Sequence, residues 1–199
     1  MSPTKALATF MHGSGNVPLT FDDEIRTNIF SAKNNKSVAE TLTHTRYAKL
    51  SETTRQGYGD LLDQPLGVFL LSLKNGGDEF YKRFLNRYGD LEYSQFFLAE
   101  SKFHDLRGVY AYFQEDHVMY VGRCRDSMKK RINQGYGKIH PKNCYIDGQA
   151  TNCHLNALIT KARKQVSLRL HSMDSDNEIE RYELQLIQEL RPPWNIQNR

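Results

Sequence analysis

The stretch Gly108-Val109-Tyr110-Ala111-Tyr112-Phe113, then Gln114-Glu115-Asp116, then His117-Val118-Met119-Tyr120-Val121-Gly122, decides how this chain is read. Two β-rich runs enclose a short polar turn, an order that predicts an antiparallel hairpin. Tyr110 and Tyr112 alternate onto one face of the first strand, and Tyr120 falls near the end of the second. Downstream, Asp126 or Ser127 is placed to cap a short helix reaching about Gln134. A loop with Gly, Pro and Asn runs to about 151, and a helix over 153–164 carries Leu155, Leu158, Ile159 and Ala162 on one face. Val166, Leu168 and Leu170 alternate with polar residues as a third strand. A last helix starts near Asp176 and stops at Pro192-Pro193. The expected fold class is therefore α+β, with a small three-stranded antiparallel sheet flanked by helices over 106–199.

Upstream, the reading thins out. Residues 1–60 are rich in Ser, Thr, Asn, Gly and charge and read as a partly helical N-terminal arm, with one amphipathic stretch from Phe21 to Ala32. Residues 61–105 read as a small helical region without an assignable role. Gly67 to Leu71 looks buried, Asn75-Gly76-Gly77 signals a turn, and Asp78 is placed to cap a helix carrying Phe80, Tyr81, Phe84 and Leu85. This half contains no internal repeat and no motif with recognisable chemistry.

The longest apolar run, Leu66 to Leu73, falls well short of the ~20 residues a membrane span needs. The N-terminus lacks the basic-then-apolar order of a secretory signal. Three cysteines, at 124, 144 and 153, suit a reducing compartment better than a disulfide framework. A soluble cytoplasmic protein with no membrane partner is expected. The formal net charge of +4 is unevenly spread: residues 1–107 hold 13 Lys/Arg against 13 Asp/Glu, and residues 108–199 hold 14 against 10. Within 123–142 the basic side chains Arg123, Arg125, Lys129, Lys130, Arg131, Lys138 and Lys142 face Asp126 alone. Such a run suits a polyanion, because each phosphate neutralised releases condensed counterions; a solvated helix face is the plainer account.

In the last helix, Ile179, Leu186, Ile187 and Leu190 share a face, with Glu183 in its middle, four residues from both Ile179 and Ile187. A carboxylate on an apolar stripe needs a cation or donor to meet it. Helix position alone leaves two partners open, a hard divalent metal or an arginine in a core salt bridge. In the shorter helix, Arg131 lies nearer the inner side marked by Met128 and Ile132 than Lys129 or Lys130 does. A guanidinium at a pocket edge offers a phosphate a fork of permanent donors, although a snorkelling surface arginine is commoner. The strand tyrosines are most simply packing residues. A phenol becomes a general base only if cations pull its pKa down from ~10, and the basic run is placed to do so.

Taken together these residues resemble the GIY-YIG nuclease superfamily. Its two name-giving elements are matched by Gly108-Val109-Tyr110 and Tyr120-Val121-Gly122. An arginine in the next helix (Arg131), a glutamate in a later helix (Glu183) and a terminal asparagine (Asn195) follow in the family's order. The ending Pro192-Pro193-Trp194-Asn195-Ile196 is similar to the Pro-x-Trp-Asn close of phage endonuclease II and restriction-type members. The resemblance spans about residues 106–197 and implies a metal-dependent endonuclease that hydrolyses DNA phosphodiester bonds, with double-stranded DNA as partner and Mg²⁺ or Mn²⁺ as cofactor. By the same resemblance, Tyr110 takes a proton from the attacking water, Tyr120 shapes the surrounding electrostatics, and Arg131 binds the phosphate. Glu183 holds the metal and Asn195 fixes the end of the chain. The remaining basic side chains, Arg123, Arg125, Lys129, Lys130, Lys138 and Lys142, would track the DNA backbone.

The pattern departs from the family at two places. One residue more than usual separates Gly122 from the arginine, which leaves Lys130 as the other candidate for that role. Where the family often has a histidine a turn later, Gly135 and Tyr136 stand, so His140 or Tyr136 is the candidate replacement. His140, Cys144, Cys153 and His154 match no common zinc-finger spacing. The alternatives are a nucleic-acid-binding module that keeps the fold without cleaving, and an excision-type repair nuclease. A structural protein leaves the basic segment unexplained. A double-strand cut generally needs two active sites, which a homo-oligomer would supply.

Overall fold

The computed structural model describes residues 5–196. In chain order its elements are α1 (Lys5–Gly13), β1 (Gly15–Asn16), β2 (Thr20–Arg26), α2 (Val38–Leu42), α3 (Ala48–Gly57), α4 (Leu66–Asn75), β3 (Tyr93–Phe97), β4 (Gly108–Gln114), β5 (His117–Cys124), α5 (Met128–Arg131), α6 (Ala150–Ala162), β6 (Val166–Ser172) and α7 (Asp176–Leu190). They form two compact units. One comprises Met1–Glu24, Ser94–Lys138 and Leu158–Arg199, and the other Ile25–Tyr93 and Ile139–Ala157. Composition divides the chain at 60 and 105, whereas long-range packing divides it elsewhere: the first residues of the arm join the unit that holds the hairpin.

The α+β class stands, but the main sheet of the hairpin unit has four strands rather than three. Its order is β1-β6-β4-β5. Every pairing is antiparallel, and the edge strand Gly15–Asn16 pairs with Leu170 and Arg169 of β6. This short strand covers the edge β6 would otherwise expose, and two residues of Gly-Asn carry no alternation by which sequence could announce them. The amphipathic stretch Phe21–Ala32 is likewise not a helix. Thr20–Arg26 is extended and pairs with β3, Asn28 sits in the left-handed region at φ 54°, and Ile29–Ala32 closes as a 3-10 turn.

Period two in β4 sorts its side chains. Val109, Ala111 and Phe113 bury against Ala6 and Phe10 of α1, Val121 of β5, and Ile179, Leu186 and Ile187 of α7. Each large apolar side chain so buried contributes roughly 1.5–3 kcal/mol. Tyr110 and Tyr112 consequently point to the opposite face. At the start of β4, Gly108 has φ 143°, and a Cβ there would stand 2.1 Å from the His171 carbonyl oxygen, so only glycine lets β4 approach β6 this closely. Ser175 starts α7 by accepting a hydrogen bond from the Glu178 amide, and the helix stops at Arg191, φ 45°, before the two prolines.

In the second unit, α4 buries Leu66, Phe69 and Leu70 against Phe30, Tyr47, Phe84 and Tyr145. Asn75-Gly76-Gly77 ends α4 as expected, and the Asp78 carboxylate accepts from the Phe80 amide to cap the 3-10 turn Glu79–Phe84. Among the described residues no helix is long and apolar enough to cross a membrane.

Candidate functional site

The outer face of the hairpin gathers four tyrosines and one arginine. Tyr110 and Tyr112 of β4 meet Tyr120 of β5 with ring centroids 6.1 and 6.3 Å away. Register explains this: Tyr112 lies opposite Tyr120, and Tyr110 lies opposite Gly122. A Cβ on Gly122 would come within 2.7 Å of the Tyr110 hydroxyl and of the Tyr120 ring, so the glycine makes the room into which the Tyr110 ring folds. Gly122→Ala is expected to destabilise the fold by about 1–3 kcal/mol, the usual cost of overpacking. Chemical denaturation measures this, and an unchanged midpoint would mean that Tyr110 does not occupy that space.

The segment after β5 swings Arg131 and Tyr136 over this face. The Ser127 hydroxyl caps α5 by accepting from the Lys130 amide. The chain then widens, with the Gly137 amide donating to the Ile132 carbonyl at 3.0 Å, an i→i+5 turn. That turn brings Tyr136 beside Arg131, and the guanidinium carbon lies 5.7 Å from the Tyr136 ring centre. Arg131 Nε donates to the Tyr110 hydroxyl at 2.9 Å, while the residue keeps substantial solvent exposure. The Tyr112 and Tyr136 hydroxyls share a hydrogen bond of 2.9 Å. Lys129 and Lys130 face solvent, the latter paired with Asp126, so Arg131 is the basic side chain of this helix that turns inward.

Burial dominates the phenols. It pushes Tyr110 well above its ordinary pKa, Tyr136 and Tyr120 push the same way, and the charge and hydrogen bond of Arg131 pull it down without reversing the shift. The expectation that the basic run lowers a phenol below its usual value is therefore corrected. A fully buried ring loses more by desolvation than one guanidinium returns.

Glu183 reaches the same neighbourhood from α7. Its side chain is 14% exposed, and its Oε2 accepts from Arg123 Nη1 at 2.8 Å. Arg123 also pairs with Glu180 at 3.0 Å, and Arg125 with Glu180 at 2.6 Å. Burial holds the Glu183 carboxyl above its ordinary value, against the pull of Arg123 and of Arg131. An arginine partner for this carboxylate is thus present, in Arg123. Arg123 and Arg125, expected to track the DNA backbone, pair with the α7 carboxylates Glu180 and Glu183 while staying partly exposed. The signal that could have found this is their alternation on β5 beside a helix rich in glutamate.

Asn195 clamps the hairpin from the chain's end. Its Oδ1 accepts from the Val121 amide at 2.9 Å and its Nδ2 donates to the Val121 carbonyl at 2.8 Å, while the Trp194 amide donates to the Met119 carbonyl. The carboxamide thus continues the ladder at the outer edge of β5.

His140 belongs to the other compact unit, where its Nδ1 accepts from the Lys142 amide and caps the 3-10 turn Pro141–Cys144. Lys142 lies in that unit too, and Lys138 is exposed at the end of the hairpin unit. Of the two side chains weighed for the place a turn after Arg131, Tyr136 is the one brought to it. Tyr112, which sequence treated as packing, joins the cluster through Tyr136. Among the described residues no group of three or more His, Cys, Asp or Glu forms a protein-only metal cage. Comparison of the chain with protein-family models, with curated proteins and with solved structures gives no match.

Proposed function

We propose that the chain is a metal-dependent endonuclease that hydrolyses DNA phosphodiester bonds at the tyrosine–arginine–glutamate cluster, in the manner of the GIY-YIG nucleases it resembles. The observation that carries this reading is the Arg131–Tyr110 hydrogen bond at 2.9 Å on a hairpin whose next helix partner brings in a largely buried Glu183. A solvent-accessible guanidinium held on a phenol near a desolvated carboxylate is the kind of arrangement that functional sites use, and it supports this reading.

In this reading Arg131 binds the scissile phosphate with the donors it does not spend on Tyr110 and stabilises charge that grows on the phosphoryl oxygens. Tyr110 accepts from Arg131, so its own O–H is directed elsewhere and can orient the attacking water. For Tyr110 to take the water's proton, its buried phenol must first be brought down in pKa, and Arg131 supplies part of that pull. Tyr112 and Tyr136 hold each other, and Tyr136 underlies the guanidinium. Asn195 keeps β5, and with it Tyr120, in register.

Glu183 suits Mg²⁺ or Mn²⁺, since such an ion is commonly held by one or two carboxylates and completes its shell with water and substrate phosphate oxygens. The bound ion supplies Lewis-acid polarisation of the phosphate and stabilisation of the leaving oxygen. The second reading, a binding module without cleavage, is favoured by the Arg123–Glu183 pair, which already gives the carboxylate a cation.

The test is incubation of the purified protein with supercoiled plasmid in Mg²⁺ or Mn²⁺, and in EDTA. Nicked or linear product in the metal and none in EDTA is the expected result. Retained DNA binding with no cutting of varied substrates in either condition would replace the nuclease with the binding module.

A further inference from the structure

Two carboxylates and two arginines of the hairpin unit are linked in one row. Arg123 Nη1 lies 2.8 Å from Glu183 Oε2 and 3.0 Å from Glu180 Oε1, and Arg125 Nη2 holds the other Glu180 oxygen at 2.6 Å. Local structure dictates this placement. Arg123 follows Val121 by two residues in β5, so it leaves the strand on the face where Val121 packs against Ile179, Leu186 and Ile187 of α7. Glu180 and Glu183 stand three residues apart on α7, about one turn, and both come within reach of one guanidinium.

The two carboxylates differ in their surroundings. Glu183 is largely buried, whereas Glu180 and Arg123 keep substantial exposure. A divalent ion held by Glu183 would share that carboxylate with a guanidinium, and two cations on one carboxylate repel strongly in so dry a place. Arg123 can relieve this repulsion without losing every partner, because Glu180 already stands at ion-pair distance. The exchange gives up one charge-assisted contact and keeps the other, so no guanidinium is left bare.

We propose, on the nuclease reading of Glu183, that Arg123 is a positioning residue of the metal centre, a latch that holds Glu183 until a divalent cation is taken up and then rests on Glu180 alone. The latch keeps a desolvated carboxylate paired while it waits, and it makes binding of the ion a competition with an internal cation.

The experiment is Mn²⁺ binding to the full chain without DNA, read from the electron paramagnetic resonance signal of the free ion at one fixed pH. Arg123→Met keeps the aliphatic stem and removes the competing charge. It is expected to tighten binding about tenfold, the low end for one hydrogen bond to a charged group. Arg125→Met removes an equal charge whose partner is Glu180, and is expected to change binding about twofold at most. Glu180→Gln alters an exposed side chain and commits Arg123 to Glu183, so binding should weaken about threefold. With Arg123→Met already in place, the same change should have no effect.

Tightening by Arg123→Met that Glu183→Gln abolishes, with a Glu180 effect confined to proteins that retain Arg123, is the expected pattern. Equal shifts from the two arginine variants, or an equal Glu180 effect with and without Arg123, would reduce the row to its local field and overturn the latch. Mn²⁺ binding that ignores Glu183→Gln, or no binding by any of these proteins, would overturn it too. A protein that cuts plasmid without the expected Mn²⁺ pattern keeps the nuclease reading and loses this one. A protein that shows the pattern and never cuts does the reverse.

Discussion

Glu183→Gln is expected to lower plasmid cleavage about 10²–10³-fold, the scale on which loss of one charge-stabilising group acts, without weakening the fold at neutral pH. The two effects separate because of where the side chain sits. Glutamine keeps the shape and a carbonyl oxygen for Arg123, and Arg123 retains Glu180 at 3.0 Å, so no cation is left buried alone. What disappears is the hard anionic oxygen that a divalent ion requires. The pH dependence runs in a set direction. Burial raises the Glu183 pKa in the folded chain, so its ionisation opposes folding. That part of the stability is present at low pH, begins to fall above the ordinary carboxylate range, and is fully lost once pH passes the raised folded value. Glutamine carries no such loss, so the variant should be at least as stable as the parent at neutral pH, measured by urea denaturation across pH. Cleavage by the parent should rise over the same interval as the carboxylate forms.

Arg131→Ala is expected to cost a similar factor in cleavage rate, about 10²–10³-fold, while duplex binding in EDTA weakens only a few-fold. The split follows from geometry. In the proposed reading Arg131 shares duplex binding with the other basic side chains, but it is the one whose Nε rests on the Tyr110 hydroxyl. Its removal also takes away the charge that draws the buried Tyr110 phenol down, leaving burial unopposed by that neighbour. Arg131→Lys should restore little, since an ammonium cannot both hold Tyr110 and present a planar fork to a phosphate. Single-turnover cleavage alongside anisotropy reads the two quantities; equal losses in rate and binding would reduce Arg131 to a general contact.

The hairpin, the third long strand and α7 were legible because each carries its own period. Alternation over 108–122 and 166–170 and the 3.6-residue stripe of Ile179, Leu186 and Ile187 are local signals, and the stripe carries Glu183 as Met128 and Ile132 flank Arg131 in the shorter helix. The edge strand Gly15–Asn16 and the extended Thr20–Arg26 were not legible, because strand pairing with β6 and β3 decides them: the first has no pattern of its own, and the second lies in a stretch whose local pattern is amphipathic. Partner choice was hidden in the same way. Nothing local tells Arg123 to turn to α7 rather than to solvent, or tells Tyr136 to reach Tyr112 through an i→i+5 turn. His140 illustrates the converse: a residue placed by spacing alone proves to cap a short turn in the other unit.

The most direct measurement is conversion of supercoiled plasmid by the parent and the Glu183→Gln protein in Mg²⁺, both first shown to be folded by circular dichroism. Cutting by the parent and none within the same time by the variant is the expected result. Equal cutting by the two would contradict a cleavage centre built on Glu183.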